Sequence, residues 1–232
     1  MKKFALILFL LTLLVAGCKH GMRSGVVGSG KREVQKRDVT AFTSISSEGA
    51  FNIVIVCQKE QSMEIEADDN ILPLIGTEVS GGVLRLRNVK NYSTSIPVAL
   101  RISVPNLEGL TVTGAGKIDI AGIKNEKFEI DSDGAPQINV SGSTKVIDID
   151  TSGAAKIDTH NLHAAKGVVE SKGVSKIDVD VSDQLDVTIS GPSTVTYEGD
   201  PTINKTIHGP GRLEKRASEG AWEIRIAKFA EA

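Results

Sequence analysis

The sequence is poor in aromatic residues, in cysteine and in any excess of one charge. Phe, Trp and Tyr make up 4% of the 232 residues, and there are two cysteines. Lys and Arg number 27 and Asp and Glu number 29, so no excess of positive charge favours nucleic acid as a partner. Neither a Gly-x-Ser-x-Gly elbow nor a Walker loop occurs. Glycine is abundant (23 residues), as are Val, Ile and Thr, and this composition favours β-structure with many turns.

The N-terminus has the pattern of a bacterial lipoprotein signal. A positive start is followed by a nearly continuous apolar run over Phe4–Val15 and then by LVAGC. The run is too short for a stable membrane-spanning helix and has the length of a signal-peptide core. LVAGC resembles a lipobox, so we predict a lipoprotein signal peptide over residues 1–17 and lipidation of Cys18; the alternative is an ordinary signal peptide with an incidental cysteine. Residues 18–35 are basic and rich in Gly and Ser, which predicts a flexible tether.

A short motif recurs along the rest of the chain, over residues 36–232. SDGAPQIN, SGAAKID and SKGVSKID each carry one aligned glycine, and the six such glycines are Gly114, Gly134, Gly153, Gly173, Gly191 and Gly209. The steps between them are 20, 19, 20, 18 and 18 residues. A fixed period of this length indicates a solenoid, and it leaves little room for a helix in each repeat.

Each repeat has the alternation of two short strands. The residue four positions after each glycine is apolar and has a polar residue on either side. These apolar residues form a first column: Ile118, Ile138, Ile157, Ile177, Val195 and Leu213. A second apolar column lies four residues before the glycine, at Leu110, Ile130, Ile149, Val169 and Val187. Period-two alternation is typical of strands with one buried face. We therefore predict an all-β fold, a single-stranded, right-handed parallel β-helix with coils of about 18–20 residues and with the glycine in a turn between the two strands.

The ends of the predicted domain are less regular than its middle. FNIVIVC, SMEIEA, GGVLRLR and IPVALRISVP predict strands, and DDNILPLIGTEV predicts one short helical turn. We interpret Cys57, which ends the first of these runs, as a buried strand residue, because no His lies near it in sequence to activate a thiol. If Cys18 is lipidated, Cys57 has no disulfide partner within the chain. AWEIRIAKF alternates near the C-terminus, and Trp222 is predicted to cover the end of the core.

The order of these motifs is similar to that of a known family. RDVTAFTSISSEGAFNIVI, then DDNILPLI and GGVLRLR, and finally the GAGKIDI-type repeats resemble the GIN-domain family of bacterial adhesin head domains, which is common in Bacteroidetes. The similarity covers nearly all of the chain after the tether. The resemblance implies a β-helical envelope protein, often with a lipoprotein or secretory signal. It carries no catalytic motif, so no functional residue is transferred from it.

The outward polar columns are the candidate binding face. Its residues are Lys117, Asp119, Lys156, Asp158, Lys176 and Asp178, and the Lys and Asp of each repeat are two residues apart on one strand, close enough to touch. Such a strip could bind or cleave a polysaccharide; the alternative is a solvated, charge-balanced sheet. The second strand carries outward acids that could hold Ca²⁺ or simply face solvent: Glu129, Asp131, Asp148, Asp150, Glu170 and Asp186. His160 and His163 lack a third ligand nearby and are predicted to be loop residues, so we expect no metal site and no cofactor.

Together these features predict a non-enzymatic, lipid-anchored protein of the cell envelope. Lys19 follows Cys18 in place of the aspartate that retains some lipoproteins in the inner membrane, which favours the outer membrane. The partners expected are the membrane, a glycan or another envelope protein, and a second copy of the chain is also possible. The alternative function is a β-helix polysaccharide lyase or hydrolase with Lys156, Asp158, Lys176 and Asp178 as its site.

Overall fold

The computed structural model describes residues 25–216. Within this range the chain forms fifteen strands and one 3₁₀ turn at Leu72–Leu74. The strands are β1 Val26–Val27, β2 Arg32–Lys36, β3 Ser44–Glu48, β4 Phe51–Cys57, β5 Ser62–Asp68, β6 Ile75–Ser80, β7 Val83–Asn88, β8 Tyr92–Ser93, β9 Ala99–Val104, β10 Gly109–Thr151, β11 Lys156–Ser171, β12 Lys176–Ser190, β13 Thr194–Glu198, β14 Thr202–His208 and β15 Arg212–Lys215. No helix among the described residues has the length and apolarity needed to span a bilayer. The all-β prediction is confirmed, while the predicted signal peptide, Cys18 and Trp222 lie outside the described residues.

Successive repeats pair in parallel, with equivalent residues side by side. Ile138 lies opposite Ile157, which lies opposite Ile177, and the column continues through Val195 to Leu213. The first four of these are 0% exposed. The predicted inward column is therefore confirmed. Burying a branched aliphatic side chain of this kind stabilises the fold by about 1.5–3 kcal/mol, which explains why the pattern repeats so strictly.

The sheet is mixed, because the N-terminal part contains antiparallel pairs. β2 pairs with β5, β5 with β9, and β6 with β7 in antiparallel fashion, whereas β4 lies between β9 and β10 in parallel. β6 and β7 are joined by Gly81 and Gly82, which have φ angles of 60° and 77°. Two adjacent positive φ angles are those of a tight hairpin turn, and such a turn can only connect antiparallel strands. The predicted strands and helical turn of this region are present, but they are not uniform parallel coils.

Part of the predicted tether is paired with the domain. β1 pairs with β8, and β2 forms the edge strand beside β5. The link between them is fixed by buried Asp68, whose carboxylate accepts hydrogen bonds from the Gly30 N–H at 2.9 Å and from the Thr94 hydroxyl. Asn70 Nδ2 also donates to Val27 O at 2.8 Å. These contacts are polar, and β2 is exposed along its length, so no hydrophobic pattern marks this segment in the sequence.

The aligned glycines form a column at one corner of the stack. A Cβ built on Gly153 would lie 2.7 Å from the Gly134 nitrogen and 2.8 Å from its carbonyl carbon, and Gly173 stands in the same relation to Gly153. The backbones of neighbouring repeats therefore meet where a side chain would have to be. Gly153 and Gly173 lie in bends between strands as predicted, whereas Gly114 and Gly134 lie within β10.

Buried hydroxyl groups run beside the glycine column. Ser193 Oγ donates to Gly173 O at 2.8 Å and accepts from the Ser171 hydroxyl at 2.7 Å and from the Ser175 N–H at 2.9 Å. These three serines are 0–4% exposed. These hydrogen bonds let this part of the corner be both tightly packed and polar, whereas the hydroxyl of Ser132, two residues before Gly134, is buried without a partner among the described residues.

Candidate functional site

The six predicted residues of the outward columns lie on one face, which we call the Lys/Asp face. In the pairing of β11 with β12, Lys156 lies opposite Lys176 and Asp158 opposite Asp178. The repeat of Lys117 and Asp119 belongs to the same stack, because Asn139 Nδ2 donates to Asp119 Oδ1 at 2.6 Å from the next repeat. The register therefore places equivalent residues on neighbouring strands, and the spacing between neighbouring strands is about 4.8 Å.

The predicted Lys–Asp contacts are formed unequally. Lys117 Nζ lies 2.9 Å from Asp119 Oδ2, and Lys176 Nζ lies 3.9 Å from Asp178 Oδ2. Asp158 instead contacts His160 Nδ1. The His160 N–H also donates to Asp158 Oδ1 at 3.3 Å, and Lys156 is exposed to solvent.

The aspartates of this face become more buried toward the C-terminus. The side chains of Asp119, Asp158 and Asp178 are 38%, 26% and 8% exposed. The guanidinium of Arg216 approaches Asp178, with Nη2 at 3.4 Å from Oδ1. Arg216 follows β15 directly, and its side chain crosses the intervening repeat to reach Asp178. Its position belongs to no column of the repeat, so the sequence pattern did not predict this contact.

A groove on this face runs from Asp119 past Asn139 to Asp158. Its volume is about 350 Å³, and its polar lining includes Asp119, Asn139, Asp158, His160 and Asn161. Val54, whose side chain is unusually exposed for an apolar residue, forms part of one wall. Carboxylates, amides and an imidazole beside an apolar patch are groups that can hydrogen-bond to hydroxyls and cover an apolar ring face.

Both carboxylates of the groove are held in the ionised form. Burial would raise the pKa of Asp158, but hydrogen bonds from the His160 side chain and backbone, with the charge of Arg216, lower it below its ordinary value. Burial likewise opposes ionisation of Asp119, while hydrogen bonds from Asn139 and Lys117 lower its pKa. Neither carboxyl is therefore prepared to donate a proton near neutral pH.

The two candidate histidines lie within β11 rather than in a loop. His160 contacts Asp158, and His163 Nδ1 lies 3.0 Å from Asp180 Oδ2 on the next repeat. The chain stays extended here, but its pairing with both neighbouring repeats shifts register around His160, so this part of β11 is an irregularity within a strand and not a loop. Over residues 25–216 there is no group of three His, Cys, Asp or Glu side chains placed to hold a metal ion.

The outward acids of the second strand are largely matched by lysines. Lys127 contacts Glu129 and lies 3.1 Å from Asp148, while Lys172 lies 2.9 Å from Glu170 and 3.7 Å from Asp150. Asp186 accepts hydrogen bonds from Gln184 and Asn204. Asp131 differs from the others, since burial and the charges of neighbouring carboxylates raise its pKa. This surface is a ladder of exposed ion pairs, each worth about 0–1 kcal/mol.

Comparison with known proteins gives a family and a fold. A family profile described as "Putative auto-transporter adhesin, head GIN domain" matches residues 41–201. The structure is similar to a crystal structure from Bacteroides fragilis described as a "putative adhesin", with a TM-score of 0.68 and 22% identity, covering 83% of this chain and 100% of that one. It is also similar to a "putative lipid binding protein" from Parabacteroides distasonis, with a TM-score of 0.50, 18% identity, and coverage of 83% and 99%. No curated protein matches the sequence. Since the profile spans well over half of the chain, this protein belongs to the GIN domain family that this profile describes.

Proposed function

We propose that this protein is a lipid-anchored, non-enzymatic envelope protein that binds a glycan through the Lys/Asp face. The observation that carries the proposal is the groove, in which Asp119, Asn139 and Asp158 from consecutive repeats present acceptors and donors about one strand apart. A glycan offers regularly spaced hydroxyls to such a column. Membership of an adhesin family supports a binding role at the cell envelope.

The lowered pKa values of the groove carboxyls favour binding over catalysis at this face. A glycoside hydrolase needs one carboxyl that keeps its proton near neutral pH, and this requires a raised pKa. The pKa values of Asp119 and Asp158 are both lowered. The alternative function, a polysaccharide lyase or hydrolase, would have to draw on another proton donor.

The proposed architecture is a right-handed parallel β-helix over the regular repeats. β10 contains 43 residues, which as a straight strand would extend about 140 Å. Its early residues pair with β3 and β4, and its late residues pair with β11, one repeat of about 20 residues at a time. A strand that long must turn repeatedly, and a helical winding leaves each turn parallel to the next. The right hand is expected from the handedness of parallel crossovers.

Lipidation of Cys18 would hold the domain close to the outer membrane. Only six residues lie between Cys18 and Gly25, the first described residue, and the two Cα atoms can be at most about 25 Å apart when the chain is extended. Labelling with a palmitate analogue, followed by membrane fractionation of wild type and Cys18→Ser, tests the anchor. We expect label and membrane association to disappear in the variant. Retention of both would refute lipidation at this position.

Polysaccharide binding tests the glycan proposal directly. The purified protein is passed through gels containing dextran, a neutral glucan, or polygalacturonate, an acidic polymer, and the supernatants are assayed for released sugars. We expect retardation by one polymer without product release, and loss of retardation in Asp119→Asn/Asp158→Asn. Asp183→Asn removes an exposed carboxylate outside the groove and serves as the matched control. Product release that the double variant abolishes would favour the enzyme instead.

A further inference from the structure

The stack of repeats ends at β14 and β15. Over the described residues, β14 pairs only with β12, and β15 pairs only with β13. The far edge of each strand therefore presents backbone N–H and C=O groups with which a further strand could pair. The inward residues Ile203, Ile207 and Leu213 are half-buried. Their counterparts in β12, Leu185 and Ile189, are 0% exposed because a later repeat covers them. We call this surface the open end.

The segment that follows β15 has the pattern of a strand. Residues 217–232 lie outside the described residues and contain the run AWEIRIAKF. In this run Trp222, Ile224 and Ile226 alternate with Glu223 and Arg225. Period-two alternation is typical of a strand with one buried face. The chain therefore supplies, directly after the open end, an apolar face of the kind that could cover it.

The repeat step decides which residues of this run would face inward. In β14 the inward positions are Ile203, Lys205 and Ile207, because they pair with buried residues of β12. A step of 19 residues, within the 18–20 of the other repeats, places the three apolar residues of the run over these three positions. A step of 18 or 20 would turn Glu223 and Arg225 inward instead. Since a slip of one residue exchanges the two faces of a strand, only the step of 19 buries the apolar face.

The connection from β15 is long enough for this register. Lys215 pairs with Tyr197, and the Arg216 N–H donates to Tyr197 O at 2.7 Å, so the last described residues still follow the stack. In the preceding coil, Ile203 comes six residues after Tyr197, and in the next one Trp222 comes seven residues after Lys215. The chain can therefore make the same corner again and place Trp222 over Ile203.

Lys205 favours a strand from the same chain over one from a second copy. It is exposed and occupies the inward position between Ile203 and Ile207. A lysine that points inward on an edge strand opposes pairing with another molecule, because continued stacking would bury its charge. A single final strand leaves water beyond it. The stem of Lys205 can then pack against Ile224 while its ammonium group reaches solvent.

We infer that residues 221–227 form a further parallel strand on β14 and that Trp222 covers the open end of the core. The occupant of this surface is the chain's own segment. Once it is paired, the edge of β14 is closed to a second copy, which is the role that a terminal cap has in a repeat protein. This inference is independent of glycan binding at the Lys/Asp face.

The fluorescence of Trp222 tests the inference, because it is the only tryptophan of the chain. Emission wavelength and quenching by acrylamide are measured for wild type and for Ile224→Asp/Ile226→Asp, in native buffer and in urea. The matched control, Arg225→Asp/Ala227→Asp, also adds two aspartates but at outward positions of the run. We expect wild type and control to emit at shorter wavelength and to be quenched several-fold less in native buffer than in urea. The inward double variant should be quenched in native buffer almost as strongly as in urea.

Hydrogen exchange locates the docked strand. A chain that ends at Arg216 is compared with the full chain by mass spectrometry of peptides from β14 and β11. We expect exchange in β14 to become several-fold faster in the shortened chain, while unchanged exchange in β11 shows that the inner repeats remain folded.

Three results would overturn the inference. The first is equal quenching of wild-type Trp222 in native buffer and in urea. The second is unchanged exchange in β14 after the truncation. The third is burial of Trp222 only where light scattering gives twice the molar mass of one chain, because the strand would then come from a second copy.

Discussion

Replacing Gly153 with alanine should destabilise the protein far more than a single methyl group suggests. Gly153 does not need a positive φ, so alanine meets no conformational penalty of that kind. The obstacle is the backbone of Gly134 on the preceding repeat, which occupies the place of the new Cβ. The Ala154 N–H donates to Gly134 O at 2.7 Å, so the two backbones are tied together beside the clash.

The size of the effect follows from what can move. Overpacking a protein interior costs about 1–3 kcal/mol when side chains can adjust. Here the contact is backbone against backbone, and separating the two repeats would lengthen the hydrogen bonds on either side. We therefore expect a loss of about 3 kcal/mol, offset by less than about 1 kcal/mol from burying the methyl group. For a chain of this size the net loss of about 2–3 kcal/mol corresponds to a fall in melting temperature of about 4–12 °C.

Thermal unfolding followed by far-ultraviolet circular dichroism measures this change. Gly109→Ala is the control, because Gly109 lies in β10 without a positive φ, and its Cβ would meet only the Ser44 side chain, with Oγ at 3.1 Å. That hydroxyl can rotate away, so the control should change stability by less than about 1 kcal/mol. Equal melting temperatures for the two variants would refute backbone contact as the reason for glycine in this column.

Four further predictions concern buried polar groups and ionisation. Ser193→Ala removes three hydrogen bonds at the glycine corner and should lower the free energy of unfolding by about 1–3 kcal/mol, measured by urea denaturation against wild type. Folding lowers the pKa of Asp158, so the ionised carboxylate stabilises the fold at pH values above its unfolded pKa. This stabilisation is lost as pH falls through the pKa of the folded state. The melting temperatures of wild type and Asp158→Asn should therefore converge below about pH 4. Folding raises the pKa of Asp131, so its ionised carboxylate destabilises the fold near neutral pH. Asp131→Asn should therefore raise the melting temperature at about pH 7, and the difference from wild type should disappear on acidification. Burial raises the pKa of Cys57 to about 11, so its thiol should react with a disulfide reagent in urea but hardly at all in the native protein; rapid native labelling would contradict the burial.

The repeat makes the regular part of the fold predictable. Ile138, Ile157 and Ile177 align on their glycines from the sequence alone, because stacked backbones need small residues at the corner and apolar ones in the interior. The same alignment identifies the Lys/Asp face. Strand alternation alone places a side chain inside or outside, and here it does so correctly along five repeats.

What the alignment misses depends on contacts between residues far apart in sequence. Arg216 reaches Asp178 across an intervening repeat, and Asp68 holds the segment around Gly30 against the domain. Neither contact belongs to a periodic pattern, since each joins an irregular segment to a regular one. The His160–Asp158 contact lies where the pairing of β11 with both neighbouring repeats shifts register, and the repeat pattern does not predict such a shift.

The sequence by itself determined the strand period, the buried aliphatic columns, the glycine corner and the six residues of the outward face, because each follows from local alternation repeated at a fixed step. Only the tertiary structure decided which polar groups meet. The groove between Asp119 and Asp158 and the antiparallel N-terminal pairs depend on the angle at each corner and on the neighbour in the next repeat. Those angles arise from packing of the whole stack, and no single repeat encodes them.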